Sequence, residues 1–219
     1  MVLRALFHDR SDAGRQLAND LDRYKGRHDL VVLGLARGGV PVAAEVARAL
    51  HAPLDVMVVR KVAPPGHEEL ALGALASGGY RFVNPEMVQL FGFAQDQIDD
   101  LASHEEAELE REEHELRGDR PLPDLEGKTV ILVDDGLATG ASMRVAVAAI
   151  RGANAAQVVA AVPVSSPEGC DAVAEMADDT VCALTPHEFF SVGQWYEEFA
   201  PTTDEEVRDL LKDGGAAER

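Results

Sequence analysis

Cysteine is scarce: Cys170 and Cys182 are the only two among 219 residues, and no CxxC spacing occurs. A structural zinc site takes about four ligands, which this chain does not group. His8, His51, His104 and His114 also lack metal-ligand spacing. Both cysteines have apolar neighbours (Gly-Cys170-Asp-Ala-Val and Thr-Val-Cys182-Ala-Leu), which reads as small core residues. No apolar run reaches the roughly 18 residues of a membrane span. The stretch from Met1 to Asp9 lacks the apolar core of a secretory signal. The expectation is a soluble cytoplasmic protein with no membrane partner. The absence of a Gly-x-x-x-x-Gly-Lys-Ser/Thr run excludes a P-loop nucleotide hydrolase.

Cations are few as well. Lysine and arginine total 20, only four of them lysine, against 39 acids, for a net charge of −19. Nucleic-acid binding depends on clustered Lys and Arg, so nucleic acid is excluded as a partner. An anionic substrate would need a locally positive pocket inside a negative field.

What is present is an alternation of β-branched runs and helical patterns. It predicts an α/β fold with a parallel sheet and helices on both faces, organised as a single domain over residues 1–219. Leu17, Leu21 and Tyr24 keep helical spacing on a segment capped by Asp9 or Ser11. Asp29 to Leu35 reads as a doubly covered strand, followed by Arg37-Gly38-Gly39 and a helix to Leu50 with Pro41 in its first turn. Leu54 to Val59 predicts one further buried strand. Leu70 to Ser77 and Tyr80 to Asn84 predict a hairpin about Gly78-Gly79, and Asn84-Pro85 opens a helix. Residues 95–117 are the most charged. Their seam of Ala102, Leu109 and Leu116 fits a solvated helix or one docked on a partner subunit. Strands are predicted at Thr129 to Val133, Val158 to Val162 and Thr180 to Leu184, with helices near Ser142 to Arg151 and Pro167 to Ala177. Thr203 and Glu206 have capping-box spacing for a closing helix. In the aromatic tail, Trp195, Tyr196 and the nearby phenylalanines read mainly as core, with a ligand platform as the alternative.

The segment that carries chemistry is Val130-Ile-Leu-Val-Asp134-Asp135-Gly136-Leu137-Ala138-Thr139-Gly140-Ala141-Ser142. A strand delivers two acids to its carboxyl end, where ligands of open parallel sheets bind. The small-residue loop after them can aim several amide N–H groups at one anion, and the next helix N-terminus adds partial positive charge. Thr139 and Ser142 add hydroxyl donors. Such a loop suits a phosphate monoester, and the acids suit a pair of sugar hydroxyls or a metal.

This segment resembles the phosphoribosyl pyrophosphate signature of type I phosphoribosyltransferases. The resemblance implies that Asp134 and Asp135 hold the ribose hydroxyls and residues 136–142 wrap the 5-phosphate. Arg37-Gly38-Gly39 is similar to the family's pyrophosphate loop, which often contains an unusual cis peptide. Arg60-Lys61 looks like the Arg-Lys pair at a strand end in several members, with residues 62–69 as the mobile loop. His67, Glu68 and Glu69 there are acid/base candidates, although exposed loop residues are the simpler reading. Phe7-His-Asp9-Arg10 with Ala13-Gly14, the Arg-Gly-Gly-Val-Pro run and the Val-Gly-Gln-Trp-Tyr-Glu tail are similar to a subfamily of phosphoribosyltransferase homologues.

By that resemblance the chain is an enzyme with a core at about 29–185 and a small hood from its terminal segments. It would bind 5-phosphoribosyl-1-pyrophosphate with Mg2+, transfer the phosphoribosyl group to a nitrogenous base and form a homodimer. Asp134, Asp135, Arg60 and Lys61 would be catalytic; Arg37, Gly38, Gly39 and residues 136–142 would bind substrate. Magnesium would be held through substrate and waters, with Asp134 or Asp135 as the side chains at hand. Hypoxanthine/guanine enzymes usually carry an acidic base in the phosphate loop, where this chain has Ala138, so the acceptor stays open. A regulatory protein that binds the same ligand without turnover is the alternative.

Overall fold

The computed structural model describes residues 6–64, 66–67 and 72–214. The carboxylate of Asp9 accepts from the Asp12 amide at 2.7 Å and starts α1 (Arg10–Asp20). The first strand, β1 (Leu30–Leu35), is buried at every position and feeds α2 (Gly39–Leu50), where Pro41 costs no hydrogen bond because it lies in the first turn. The predicted strand from Leu54 to Val59 is in fact two, β2 (Leu54–Met57) and β3 (Val59–Val62). The chain turns its pairing at Val58. The Val58 amide donates to Ser77 Oγ and its carbonyl accepts from the Ser77 amide, both at 2.9 Å.

After that corner, β3 pairs antiparallel with β4 (Gly73–Ala76), which pairs with β5 (Tyr80–Val83) across the Gly78-Gly79 turn. Asn84 caps α3 (Pro85–Phe91). The charged segment forms α4 (Gln95–Arg117), and its seam is buried in its own chain: Ala102, Leu109 and Leu116 join Val62, Leu75, Val207 and Leu211 in one cluster. The partner-subunit reading of the seam is thereby corrected. Arg117 anchors the helix end, its Nε 3.0 Å from Asp55 Oδ1 and its Nη2 donating to the Val56 carbonyl.

The chain then forms β6 (Thr129–Val133), α5 (Ala141–Gly152), β7 (Gln157–Val164), α6 (Pro167–Ala174), β8 (Asp179–Leu184) and α7 (Asp204–Gly214). The main sheet is all parallel in the order β2-β1-β6-β7-β8. Strand alternation splits its core in two. Leu30, Val32, Ile131 and Val133 pack with α1, α2 and α7, while Val31, Leu33, Val130 and Leu132 pack with α5. This is the α/β fold that the sequence pattern predicts, with a small antiparallel sheet added.

Cys170 and Cys182 are not separate core residues but a disulfide. Helix α6 folds back so that β8 returns beside it, which brings their Cα atoms to 6.5 Å, within bridging range. Among the described residues, no helix is long and apolar enough to cross a membrane.

Candidate active site

Strand β6 ends in Asp134-Asp135 near the middle of the sheet. The Asp135 amide donates to Asp134 Oδ1 at 2.8 Å. Both carboxyls are pushed above their usual range. For Asp134, burial is the larger cause and the charge of Asp135 the second. For Asp135, burial outweighs the opposing effect of Arg10.

The loop after the acids is fixed from below and open above. The Leu137 amide donates to the Val164 carbonyl at 3.0 Å and the Leu137 carbonyl accepts from the Ser166 amide at 2.9 Å. Ser166 Oγ donates to the Ala138 carbonyl at 2.6 Å while capping α6 at the Gly169 amide. Gly140 precedes α5 with φ 70°, a conformation costly for other residues, and a Cβ there would stand 3.0 Å from the Gly169 carbonyl oxygen. Among the described residues, the amides of Ala138, Thr139 and Gly140 donate to nothing. Exposed Ala138, Thr139, Ala141 and Ser142 leave that face open. Unpaired amides at a helix start are what an anion needs.

The Arg37-Gly38-Gly39 turn, predicted one βα unit upstream, lies against the acids. A Cβ on Gly38 would collide with Asp135 Oδ2, and one on Gly39 would stand 2.5 Å from the Val133 carbonyl oxygen. The Ala36–Arg37 peptide is cis. The Arg37 side chain pairs with Asp204 of α7 and lies 3.3 Å from Glu112 of α4. Arg60 and Lys61 sit on β3 of the small sheet rather than at the end of a main-sheet strand. Arg60 bonds Glu105 at 2.7 Å and the same Glu112 at 3.2 Å, and Lys61 is exposed. Glu68 and Glu69 lie outside the described residues.

Sequence reasoning missed the groups that close the site. Arg10, read only as a family mark, donates from Nε to Asp135 Oδ2 at 2.8 Å and from Nη1 to the Ala200 carbonyl at 2.6 Å. The Tyr196 hydroxyl donates to the Asp135 carbonyl at 2.6 Å, and burial pushes its pKa up. Phe7 and Tyr196 pair across the terminal segments with ring centroids 5.3 Å apart. Trp195 and Tyr196 are core, as read, whereas Phe190 is 83% exposed. Only the joint presence of the N-terminal and tail marks hinted that these segments meet.

A family model described as the phosphoribosyl transferase domain matches residues 7–196. Two curated relatives from Mycobacterium tuberculosis, strains CDC 1551 and H37Rv, carry a provisional phosphoribosyl transferase name. Each is 45% identical over 206 residues, covering 94% of this chain and 46% of the relative. The chain thus spans about half the length of the curated relatives it matches. The crystal structure of TT1426 from Thermus thermophilus is 40% identical with a TM-score of 0.83, covering 94% of this chain and 98% of that one.

Proposed function

Because the chain belongs to the phosphoribosyl transferase family, we propose that it binds 5-phosphoribosyl-1-pyrophosphate with magnesium and passes the phosphoribosyl group to a nitrogenous base. The observation that carries this reading is one juxtaposition. Two partly buried acids, an open amide cradle and the Arg37-Gly38-Gly39 turn converge at the carboxyl end of β1 and β6.

In this reading the amides of residues 138–140, with Thr139 and Ser142, hold the 5-phosphate. Asp134 and Asp135 accept hydrogen bonds from the ribose hydroxyls and favour positive charge growing on the ring. The bond from the anomeric carbon to pyrophosphate breaks as the bond to the base nitrogen forms, through an oxocarbenium-like state. The Gly38-Gly39 turn lies against the acids, where the leaving group would sit. Among the described residues, no group of three or more His, Cys, Asp or Glu could hold a metal alone. The acid pair still fits magnesium carried by substrate oxygens and water, because among the described residues Arg10 is the one cation that pairs with it. Magnesium bound there would neutralise the leaving pyrophosphate.

A second reading has its own support. Arg37 and Arg60, the cations nearest that role, are already matched by Glu105, Glu112 and Asp204. A protein that binds the ligand without turning it over would tolerate this. Pyrophosphate release from Mg-phosphoribosyl pyrophosphate, screened over purine and pyrimidine bases, separates the two. Transfer predicts release with at least one base and a loss of about 10²–10³ in Asp134→Asn/Asp135→Asn. Binding without release for every base would favour the second reading.

A further inference from the structure

The two acids of the site are not equivalent. Asp135 faces a cation delivered from 125 residues away, whereas among the described residues Asp134 receives only the Asp135 amide. We propose that Arg10 is a positioning residue of the sugar site: it orients the Asp135 carboxylate and ties it to the C-terminal segment. The inference rests on the reading of Asp134-Asp135 as the ribose-hydroxyl pair.

The geometry around Arg10 leaves it little freedom. Its side chain is 12% exposed and that of Asp135 15%, so the pair is shielded from the water that makes surface ion pairs weak. One planar guanidinium serves three neighbours: Nε donates to Asp135, Nη1 donates to the Ala200 carbonyl, and the Phe199 ring centroid lies 4.0 Å from Cζ. Lysine, with a single donor centre, could not reproduce that fork. The backbone is pinned on both sides. Asp9 caps the helix that Arg10 begins, and Phe7 bonds the tail through the Trp195 carbonyl and the Glu197 amide. Arg10 Nε also stands 3.3 Å from where a Gly38 Cβ would be, so cation, acid and glycine turn meet at one point.

The consequence is a division of labour. The ionisable groups facing Asp135 are Asp134, Arg10 and Tyr196, whose hydroxyl bonds the Asp135 backbone rather than its carboxylate. Arg10 fixes the Asp135 carboxylate in one orientation toward the sugar, whereas among the described residues no side chain bonds the Asp134 carboxyl.

Two measurements test this. Amide hydrogen exchange of the ligand-free protein reads the tie to the tail: the Glu197 and Glu198 amides, which donate to the Phe7 and His8 carbonyls, should exchange about five- to tenfold faster in Arg10→Gln, and less so in Arg10→Lys. If Arg10→Gln does not fold, faster exchange in Arg10→Lys alone carries the test. Exchange equal to that of the wild type in either folded variant overturns the proposal. Calorimetry with Mg-phosphoribosyl pyrophosphate then completes a cycle. Arg10→Gln should weaken binding about 10–100-fold, but should add less than about twofold in an Asp135→Asn background. Fully additive losses would overturn the positioning role and make Arg10 an independent ligand contact. If wild type binds nothing, the functional reading falls, while the exchange measurement still decides whether Arg10 ties the acid turn to the tail.

Discussion

Gly39 approaches Asp134 so closely that a Cβ on Gly39 would stand 2.9 Å from the Asp134 Cα. The turn after β1 and the acids after β6 are therefore packed as one unit, and the contact consists of backbone that cannot rotate away. Gly39→Ala is expected to cost about 1–3 kcal/mol in urea unfolding, the usual cost of overpacking. It should also weaken phosphoribosyl pyrophosphate binding at least tenfold by spreading the two loops. Parental stability and affinity would show that the loops are not mechanically joined.

Asp134 binds its proton more tightly in the folded chain than in the unfolded one. A carboxyl raised in this way weakens the fold as pH climbs from its unfolded pKa near 3.8 through its folded value. Asp134→Asn should therefore be more heat-stable than wild type at pH 7–8 by a few degrees, and the gap should close below about pH 4. Calorimetric scans across that range check it. A variant less stable at neutral pH would contradict the sign.

Glu112 bridges Arg37 and Arg60, and its side chain is only 14% exposed. Glu112→Gln removes one of the three carboxylates that compensate those arginines. Affinity for Mg-phosphoribosyl pyrophosphate should rise about three- to tenfold at low salt, with the gain shrinking as salt screens it. Weaker binding would mean that Glu112 positions the arginines instead of competing for them.

The Arg117–Asp55 pair is the best-buried ion pair among the described residues, with side chains 4% and 10% exposed. Arg117→Met strands Asp55 in the interior and leaves the Val56 carbonyl without that donor. The expected cost is about 3–5 kcal/mol by chemical denaturation. A loss under about 1 kcal/mol would show that water reaches Asp55.

The parts of this molecule legible in its sequence are those written in contiguous residues. Thr129 to Arg151 carries strand, acids, loop and helix in one stretch, and the alternation of buried strands with amphipathic helices fixes the parallel sheet. What was not legible depends on where the chain turns. The run Leu-Asp-Val-Met-Val-Val is apolar enough to hide the corner at Val58, whose groups are bonded by Ser77, so the residue pattern reads one strand and does not reveal that Arg60 and Lys61 sit on a second sheet. The cysteines gave no sign of pairing, because only the return of β8 beside α6 joins them. Arg10 and Tyr196 reach the site across 125 and 61 residues, and Glu112 meets Arg60 across 52. No local pattern encodes such distances.

Calorimetric titration of 5-phosphoribosyl-1-pyrophosphate with magnesium into wild type and into Asp134→Asn/Asp135→Asn decides whether the acid pair holds this ligand. Wild type should bind saturably and the double variant should not, with its fold intact by circular dichroism. No binding by wild type at millimolar ligand, or equal binding by both proteins, would contradict this reading.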